Sequence, residues 1–360
     1  MNFHAKPCLV ILGKLLLGVA LALVTLELIG RHVSFIRPAL DGRFGGLFQP
    51  GTTFRCNTEG HGSGYWNTQG IRRSELFQPR DPKPILVMGD SFTEAMHVTD
   101  DEVYTSQMER TFQTAGMNIP VLNIGVSGCQ LPLHIARAKN LKAAYSPRWT
   151  VIQVSRRSFC FGPQPTSPTR YVTNRVTGKM TIEMEHYPPL GKLSRINWQL
   201  RQYFALPGWI RYRFKDFCKG VKSEPPLFRA GSHRDKSPPN DASAPKVQSL
   251  GGKFTLAQEL NLLAESFDHR LTVLYLAEFD PRAPSVASPF EIEVAAACRD
   301  QHISFVSLRE EFPEFVRQGL SPYGFGNTNY NLGHSNPDGH RAMARVTCRE
   351  LRRLMANALL

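Results

Sequence analysis

The apolar positions of this chain fall into short continuous runs that end at Gly, Pro or polar clusters. A run of four to eight apolar residues is typical of a strand that is covered on both faces in a parallel sheet. Five such runs predict five buried strands, which cover residues 85–88, 120–124, 149–154, 271–276 and 303–306.

Between these runs the apolar residues recur at helical spacing. The predicted helices cover residues 101–114, 133–144, 254–267, 289–299 and 337–355. Strands that alternate with helices indicate a parallel sheet with helices on both faces. The sequence therefore predicts an α/β protein, a three-layer α/β/α sandwich of the flavodoxin-like type with a central parallel sheet of about five strands.

The N-terminal pattern differs from all the others. Residues from Cys8 to Gly30 are apolar apart from Lys14, Thr25 and Glu27. As a helix they span roughly 34 Å, enough to cross a bilayer core of about 30 Å. No small-residue cleavage site follows, so we predict an uncleaved signal anchor, one transmembrane helix within residues 1–34. A buried core helix is the alternative, and the flanking basic residues do not settle the orientation.

Two further regions lie outside the alternating pattern. Residues 35–80 are rich in Gly, Asn, Arg and aromatics, and they predict a loop-rich lead that packs on the main domain, residues 81–357. At about residues 220–250 the chain is rich in Pro, Ser and charge. Such a composition offers too little apolar surface to offset the ordering entropy, so we predict an exposed, partly disordered insertion there.

Composition narrows the class of partner. The net charge of +13 suits an anionic neighbourhood such as a membrane surface or an acidic glycan. Nucleic-acid binding is not predicted, because no basic run with interleaved aromatics and no known binding motif occurs. The seven Cys contain no C-x-x-C pair, which argues against a zinc site. Disulfides stay open for an extracytoplasmic domain, while Cys298 and Cys348 fit buried free thiols.

The candidate chemistry lies at the end of the first predicted strand. There the chain reads Gly89-Asp90-Ser91, and ligands collect outside the carboxyl ends of parallel strands. A serine hydroxyl needs a base to become a nucleophile, and histidine is suited to that role. His334 precedes the last predicted helix. The alternatives are a plain turn with a capping Ser91 and a His334 that caps the helix, whereas His340 lies inside that helix.

Four stretches together carry a resemblance. They are Gly89-Asp90-Ser91, the run from Gly333 to Met343 around His334, the run from Val121 to Gly128, and the lead-in from Trp66 to Arg72. In this order and spacing they resemble the SGNH (GDSL-type) hydrolase family, in particular its membrane-anchored bacterial members. The resemblance covers roughly residues 60–357.

The resemblance implies ester hydrolysis or acyl transfer through Ser91 and His334, with no metal or cofactor. It implies that the backbone N–H groups of Ser91 and Gly125 and a side-chain Asn stabilise the oxyanion. It also implies that the C-terminal domain lies outside the cytoplasm, in the periplasm if the cell is Gram-negative. The expected substrate is an extracytoplasmic acylated glycan or lipid.

The chain departs from the family in two places. After the third strand, where the family has Asn, it reads Ser155-Arg156-Arg157-Ser158, so Arg156 and Arg157 become the candidate oxyanion or substrate contacts. The family places Asp two or three residues before the His, but here those positions hold Leu332 and Asn331. We expect Asn331 to orient His334, with a Ser–His dyad oriented by a backbone carbonyl as the alternative. Asp90 and Asp338 are expected to stabilise a turn and a helix start.

These departures leave two further functional hypotheses beside the enzyme. One is a non-catalytic binding or assembly protein that kept the fold but lost supporting groups. The other is a structural membrane protein in which Gly-Asp-Ser is a coincidence. A five-stranded parallel sheet that carries Ser91 at a strand end would exclude the latter.

Overall fold

The computed structural model of the chain describes most of the residues that form the predicted elements. The described residues are 5–35, 50–73, 76–78, 82–159, 169–173, 180–184, 196, 199–200, 203–205, 255–328 and 330–357. The predicted insertion at about residues 220–250 lies outside them.

The apolar N-terminus forms one long helix, α1 (Ala5–Val33). Within it, Val10–His32 is strongly apolar, and its large apolar side chains from Val10 to Ile29 are exposed, whereas Gly30 is buried. The helix is thus long and apolar enough to cross a membrane. Because its surface is exposed, the alternative of a core helix is wrong.

The predicted loop-rich lead contains a small antiparallel sheet. Its strands are β1 (Ser34–Phe35), β2 (Thr52–Cys56) and β3 (Gly62–Trp66), in that spatial order. Glycines, which made the stretch look like loop, are needed here because the backbone passes close to the domain. A Cβ on Gly62 would collide with the Met96 carbonyl, and one on Gly64 would collide with the Asp100 carboxylate.

The central sheet has the five parallel strands that the apolar runs predict. In chain order they are β4 (Ile85–Gly89), β5 (Val121–Gly125), β6 (Trp149–Ser155), β9 (Leu271–Leu276) and β10 (Ser304–Ser307). A separate two-stranded antiparallel sheet pairs β7 (Thr169–Thr173) with β8 (Met180–Met184). The spatial order is β10-β9-β6-β4-β5, and every neighbouring pair is parallel. All five residues of β4 and of β5 are buried.

Helices cover the sheet in two layers. They are α2 (Ser91–Glu94), α3 (Tyr104–Thr114), α4 (Leu131–Tyr145), α5 (Leu256–Ser266), α6 (Pro289–Asp300), α7 (Phe312–Gln318) and α8 (Pro337–Asn357). In one layer α3 packs against α8. In the other layer α5 packs against both α4 and α6. The three-layer α/β/α sandwich is confirmed.

Strand register brings the candidate motifs to one edge. Gly89 at the end of β4 pairs with Gly125 at the end of β5, and Met88 pairs with Ile152 on β6. The loops that follow these three strands therefore start side by side. This is the edge at which a doubly wound sheet holds its ligands.

Four cysteines of the described part of the chain are free thiols. Cys56, Cys129, Cys298 and Cys348 are all buried and none is in a disulfide. Burial raises the pKa of the Cys298 thiol to about 12, so it stays protonated and inert. The expectation of buried free thiols at Cys298 and Cys348 is confirmed.

Candidate active site

The turn after β4 presents Ser91 as the first residue of α2. Asp90 caps this helix, since its Oδ1 accepts a hydrogen bond from the Phe92 N–H at 3.0 Å. The Gln153 side chain on β6 accepts hydrogen bonds from the Asp90 N–H at 3.2 Å and from the Thr93 hydroxyl at 2.9 Å. Burial raises the pKa of Asp90. Asp90 thus has the turn-stabilising position expected of it, and β6 holds the turn in place.

His334 reaches this serine from the other end of the chain. Its Nε2 lies 2.9 Å from Ser91 Oγ, a hydrogen-bond distance between residues 243 positions apart. Helix α8 begins three residues later at Pro337, and the Asn336 side chain accepts a hydrogen bond from the Gly339 N–H at 2.9 Å. Asn336 therefore caps α8, and His334 is left to face Ser91.

The other nitrogen of His334 contacts an acid that the sequence analysis did not single out. Glu59 Oε2 lies 2.8 Å from His334 Nδ1, and Glu59 Oε1 accepts the His334 backbone N–H at 2.7 Å. One carboxylate thus holds both the ring and the backbone. Ser91, His334 and Glu59 form a continuous hydrogen-bonded chain with the geometry of a catalytic triad.

The structure therefore corrects the role given to Asn331. Its side chain is exposed, its backbone has a φ of 71°, and its N–H donates to the Tyr323 carbonyl at 3.1 Å. Asn331 shapes the loop before His334, because asparagine tolerates the left-handed backbone region. The group that accepts a hydrogen bond from His334 Nδ1 is instead the carboxylate of Glu59.

The charge of Glu59 is secured by its partner. Burial raises its pKa, but the hydrogen bonds from the ring and backbone of His334 and the charge of that ring lower it, and the net pKa is about 2. Glu59 is hence a carboxylate at neutral pH. A full negative charge beside the imidazole is what an asparagine cannot supply.

Glu59 reaches His334 because the turn between β2 and β3 is pinned to the loop before α8. The Asn327 side chain accepts the Gly60 N–H and donates to the Gly60 carbonyl, both at 2.9 Å. Gly333 has a φ of 98°, and a Cβ there would collide with the Glu59 carboxylate. Glycine is therefore required at 333 by both backbone and contact.

A second histidine lies against the first. The rings of His97 and His334 stack with centroids 3.8 Å apart and planes 15° apart, and His97 Nε2 lies 3.7 Å from Glu59 Oε2. Burial, followed by the charge of His334, lowers the pKa of His97 to about 4. His97 is neutral near pH 7 and forms one wall of the His334 site.

The two predicted backbone oxyanion donors differ in whether their N–H group already has a hydrogen-bond acceptor. Within the described residues the Ser91 N–H has no hydrogen-bond acceptor, so it is free to bind an oxyanion. The Gly125 N–H instead donates to Asn123 Oδ1 at 3.0 Å. Asn123 must rotate before Gly125 can serve as a donor.

The residues after β6, where the family has its asparagine, take an unexpected arrangement. Arg156 and Arg157 are exposed in a short 3₁₀ turn, Arg156–Ser158, that Ser155 and Ser158 cap reciprocally. Among the described contacts, neither guanidinium bonds to Ser91 or His334. Ser158 Oγ lies 3.4 Å from Asp90 Oδ2, so the polar group that reaches the nucleophile turn from this block is a buried serine.

Glu59, His97 and His334 also place three potential metal-ligand atoms within 4.8 Å of one another. The two imidazoles are stacked nearly parallel. Their nitrogen lone pairs therefore do not converge on one point, as tetrahedral coordination requires. The arrangement suits proton transfer from Ser91 to His334, while Glu59 stays ionised and orients the ring.

Sequence reasoning found Ser91 and His334 but missed Glu59 and His97. Glu59 lies 275 positions from His334, in a lead without apolar periodicity. The available signal was the glycine density around it, at Gly60, Gly62 and Gly64, which indicates close backbone approach.

Comparisons with known proteins return matches among solved structures only. No family model matches the chain, and no curated protein matches it. The matches include TesA, at 14% identity over 75% of this chain and 99% of that chain with a TM-score of 0.36. A variant of the acetyl xylan esterase Axe2 from Geobacillus stearothermophilus matches at 14% identity over 75% and 94%, with a TM-score of 0.38.

A two-domain esterase active on acetylated mannans matches at 12% identity with a TM-score of 0.36. The match covers 75% of this chain and 49% of that one, so the chain spans about half of that enzyme's length. Likenesses this distant do not assign an activity to the chain.

The described architecture has the features that the resemblance to the SGNH hydrolases implied. A five-stranded parallel sheet carries the Gly-Asp-Ser turn at the end of β4, and a histidine directly before the last described helix reaches that serine. The hypothesis of a coincidental Gly-Asp-Ser is therefore wrong.

Proposed function

We propose that the protein is a membrane-anchored SGNH-type serine esterase or O-acyltransferase that acts on an extracytoplasmic acylated glycan or lipid. The observation that carries the proposal is the unbroken chain from Ser91 Oγ through His334 to the Glu59 carboxylate, with contacts of 2.9 and 2.8 Å. Its groups have the order and the spacing that nucleophilic acyl transfer needs.

In the proposed reaction Ser91 Oγ attacks the ester carbonyl carbon while its proton passes to His334 Nε2. Glu59 stabilises the imidazolium that forms and keeps Nδ1 protonated. The carbonyl oxygen becomes an oxyanion, which the Ser91 N–H stabilises. When the tetrahedral intermediate collapses, the alcohol leaves with the proton from His334, and the acyl group remains on Ser91.

A second nucleophile completes the cycle. Water, or a hydroxyl of an acceptor sugar or lipid, gives its proton to His334 and attacks the acyl carbon. The bond to Ser91 Oγ then breaks, His334 returns the proton to Ser91, and an acid or a new ester leaves. The exposed Arg156 and Arg157 at the same sheet edge are proposed to contact an anionic part of the substrate, as guanidinium groups bind carboxylate and phosphate well.

The apolar, exposed surface of α1 supports the proposed single span. The resemblance to membrane-anchored members of the family supports a C-terminal domain outside the cytoplasm, in the periplasm if the cell is Gram-negative. The positive net charge of the chain suits an anionic lipid surface or polysaccharide.

One observation favours a competing function. The Gly125 N–H already donates a hydrogen bond to Asn123 Oδ1. The loop after β6 also lacks the asparagine that the family has there. Loss of one oxyanion donor costs other enzymes about a hundred- to a thousandfold in rate. A binding or assembly protein that retained the triad would show such an incomplete oxyanion site.

Covalent labelling separates the two functions. We expect a fluorophosphonate probe to label the purified full chain and p-nitrophenyl acetate to be hydrolysed. Ser91→Ala should abolish both, whereas Ser285→Ala, which changes an exposed serine, should abolish neither. Absence of Ser91-dependent labelling and turnover would assign the protein to the non-catalytic class.

A further inference from the structure

A group of exposed apolar side chains lies in the segment that precedes residue 206. Ile196, Leu200, Tyr203 and Phe204 are exposed by 52%, 43%, 70% and 48%. They follow one another at offsets of four, seven and eight, and the residues at 196, 200 and 203 are helical. At helical spacing these offsets share one face. We call these four residues the apolar segment.

Hydrogen bonds join the apolar segment to the end of α1. Arg31 Nη2 donates to the Tyr203 carbonyl at 2.7 Å, and the Ala205 N–H donates to Glu27 Oε1 at 2.9 Å. The same Glu27 oxygen accepts Arg31 Nε at 2.7 Å. These bonds explain why an acid and a base occur in the last turns of an apolar helix. They hold Tyr203, Phe204 and Ala205 at the level where the apolar span ends.

Position and chemistry indicate what covers these side chains. The apolar side chains of α1 are exposed from Val10 to Ile29, and the hydrogen bonds place the apolar segment beside the C-terminal end of that helix. Aromatic residues are enriched where a span meets the headgroups. The sequence that follows alternates Trp209, Tyr212 and Phe214 with Arg and Lys, the composition of a chain at an anionic lipid interface.

We propose that the apolar segment lies in the interfacial layer of the bilayer beside the end of α1 and forms a second membrane contact of the protein. The occupant of the exposed face is lipid, because the face continues a membrane span. Apolar side chains in isolation need no such explanation, but four on one face that adjoin a span do.

This contact has a consequence for the Ser91 site. The Asn57 side chain donates to the His32 carbonyl, the last residue of the apolar span, at 2.9 Å. Glu59 follows two residues later, at most about 7 Å along an extended backbone. A second contact beside α1 would hold the Glu59 turn, and the triad with it, near the bilayer surface.

Photocrosslinking in a bilayer tests the proposal. A photoreactive phenylalanine analogue replaces Leu200 in the full chain, which is reconstituted into phosphatidylethanolamine–phosphatidylglycerol vesicles, irradiated and analysed for lipid adducts by mass. Leu17 on α1 is the positive control. Ile292 on α6, exposed by 58%, is the matched negative control.

We expect lipid adducts at Leu200 in several-fold higher yield than at Ile292. Adducts at Leu17 together with a Leu200 yield no higher than that of Ile292 would overturn the proposal while leaving the anchor in place. Adducts between two protein copies at Leu200 would overturn it as well, since a second copy would then cover the face. None of these readouts depends on esterase activity.

Discussion

His334 is held at three of its atoms, and this grip decides how the site can work. Nε2 contacts Ser91, while Nδ1 and the backbone N–H contact the two oxygens of Glu59. A ring held in this way has one tautomer available for accepting the serine proton. The acid that orients it comes from the lead of the chain, where the family pattern places it just before the histidine.

Replacing that acid should be the most damaging change after loss of Ser91 or His334. We expect Glu59→Gln to lower Ser91-dependent hydrolysis of p-nitrophenyl acetate by about a thousandfold or more, as removal of the triad carboxylate does in a serine protease. Asn331→Asp, which suits the same left-handed backbone, should leave the rate near that of the wild type. This replaces the sequence-based expectation that Asn331 orients the ring.

The reverse pattern of rates would return the orienting role to Asn331. A Glu59→Gln variant with near-normal turnover, beside an Asn331→Asp variant with altered turnover, would show that the contact seen at 2.8 Å is not the one that functions.

His97 should make the protein sensitive to mild acid. Burial, and then the charge of His334, lowers its pKa to about 4 from an ordinary 6.5. The unfolded chain then binds more protons than the native chain between these values, so this contribution to stability is complete above pH 6.5 and declines as the pH falls toward 4. From pH 7 to pH 5 the loss is about 2 kcal/mol.

We therefore expect His97→Phe, which keeps an aromatic ring against His334, to lose about 2 kcal/mol less stability than the wild type between pH 7 and pH 5. Denaturant unfolding of the detergent-solubilised full chain at both pH values measures this difference. An equal loss in both proteins would show that His97 is protonated in the native state.

At the scale of elements, one buried arginine joins the lead to the nucleophile helix. Arg72 donates to the carbonyls of Glu94 at 2.8 Å and Val98 at 2.7 Å, and its Nε pairs with Asp100 at 2.7 Å. These carbonyls lie at and beyond the C-terminal end of α2. The lead-in motif from Trp66 to Arg72 is thus part of the support for Ser91, and its function is structural.

Glu94 joins α2 to the loop after β5 at the cost of a buried acid. Its carboxyl group accepts the Ser127 hydroxyl, and burial raises its pKa to about 7. Between pH 4.5 and 7 the native chain binds more protons than the unfolded chain, so stability from this group falls as the pH rises. The difference between pH 5 and pH 8 is about 2–3 kcal/mol.

Glu94→Gln removes the titration and keeps an acceptor for Ser127. We expect the variant to lose about 2 kcal/mol less stability than the wild type when the pH rises from 5 to 8. Thermal unfolding at the two pH values measures it. A stability difference that does not vary with pH would mean that Glu94 is ionised in the native protein throughout.

For the whole molecule, the exposed apolar surface of α1 sets the environment. We propose that lipid surrounds this helix, since water would otherwise meet its exposed apolar side chains from Val10 to Ile29. No small-residue cleavage site follows the apolar core. We propose that α1 stays on the mature protein.

N-terminal sequencing or intact-mass measurement of the membrane-extracted protein should then find residues ahead of Leu26. A mature N-terminus between residues 27 and 45 would show that the helix is a cleaved signal sequence. That outcome would also remove the span on which the interfacial position of the apolar segment depends.

The sequence by itself determined the layered fold and two members of the site. Continuous apolar runs, such as Leu271–Leu276, mark strands because burial on both faces is a local property of the run. Helical spacing and the flanking Gly and Pro locate the helices in the same way. Ser91 and His334 could be predicted because each lies in a short motif at a fixed place relative to a strand or a helix.

Tertiary structure alone decided what surrounds that pair. Glu59 contacts His334 across 275 positions, and no pattern in either stretch encodes the contact. The Gly125 N–H donates to Asn123 because of the rotamer of that side chain. His97 lies near Glu59 because the turn after α2 packs against the lead. Such contacts depend on how separate elements dock, whereas periodicity reports only the burial of each element.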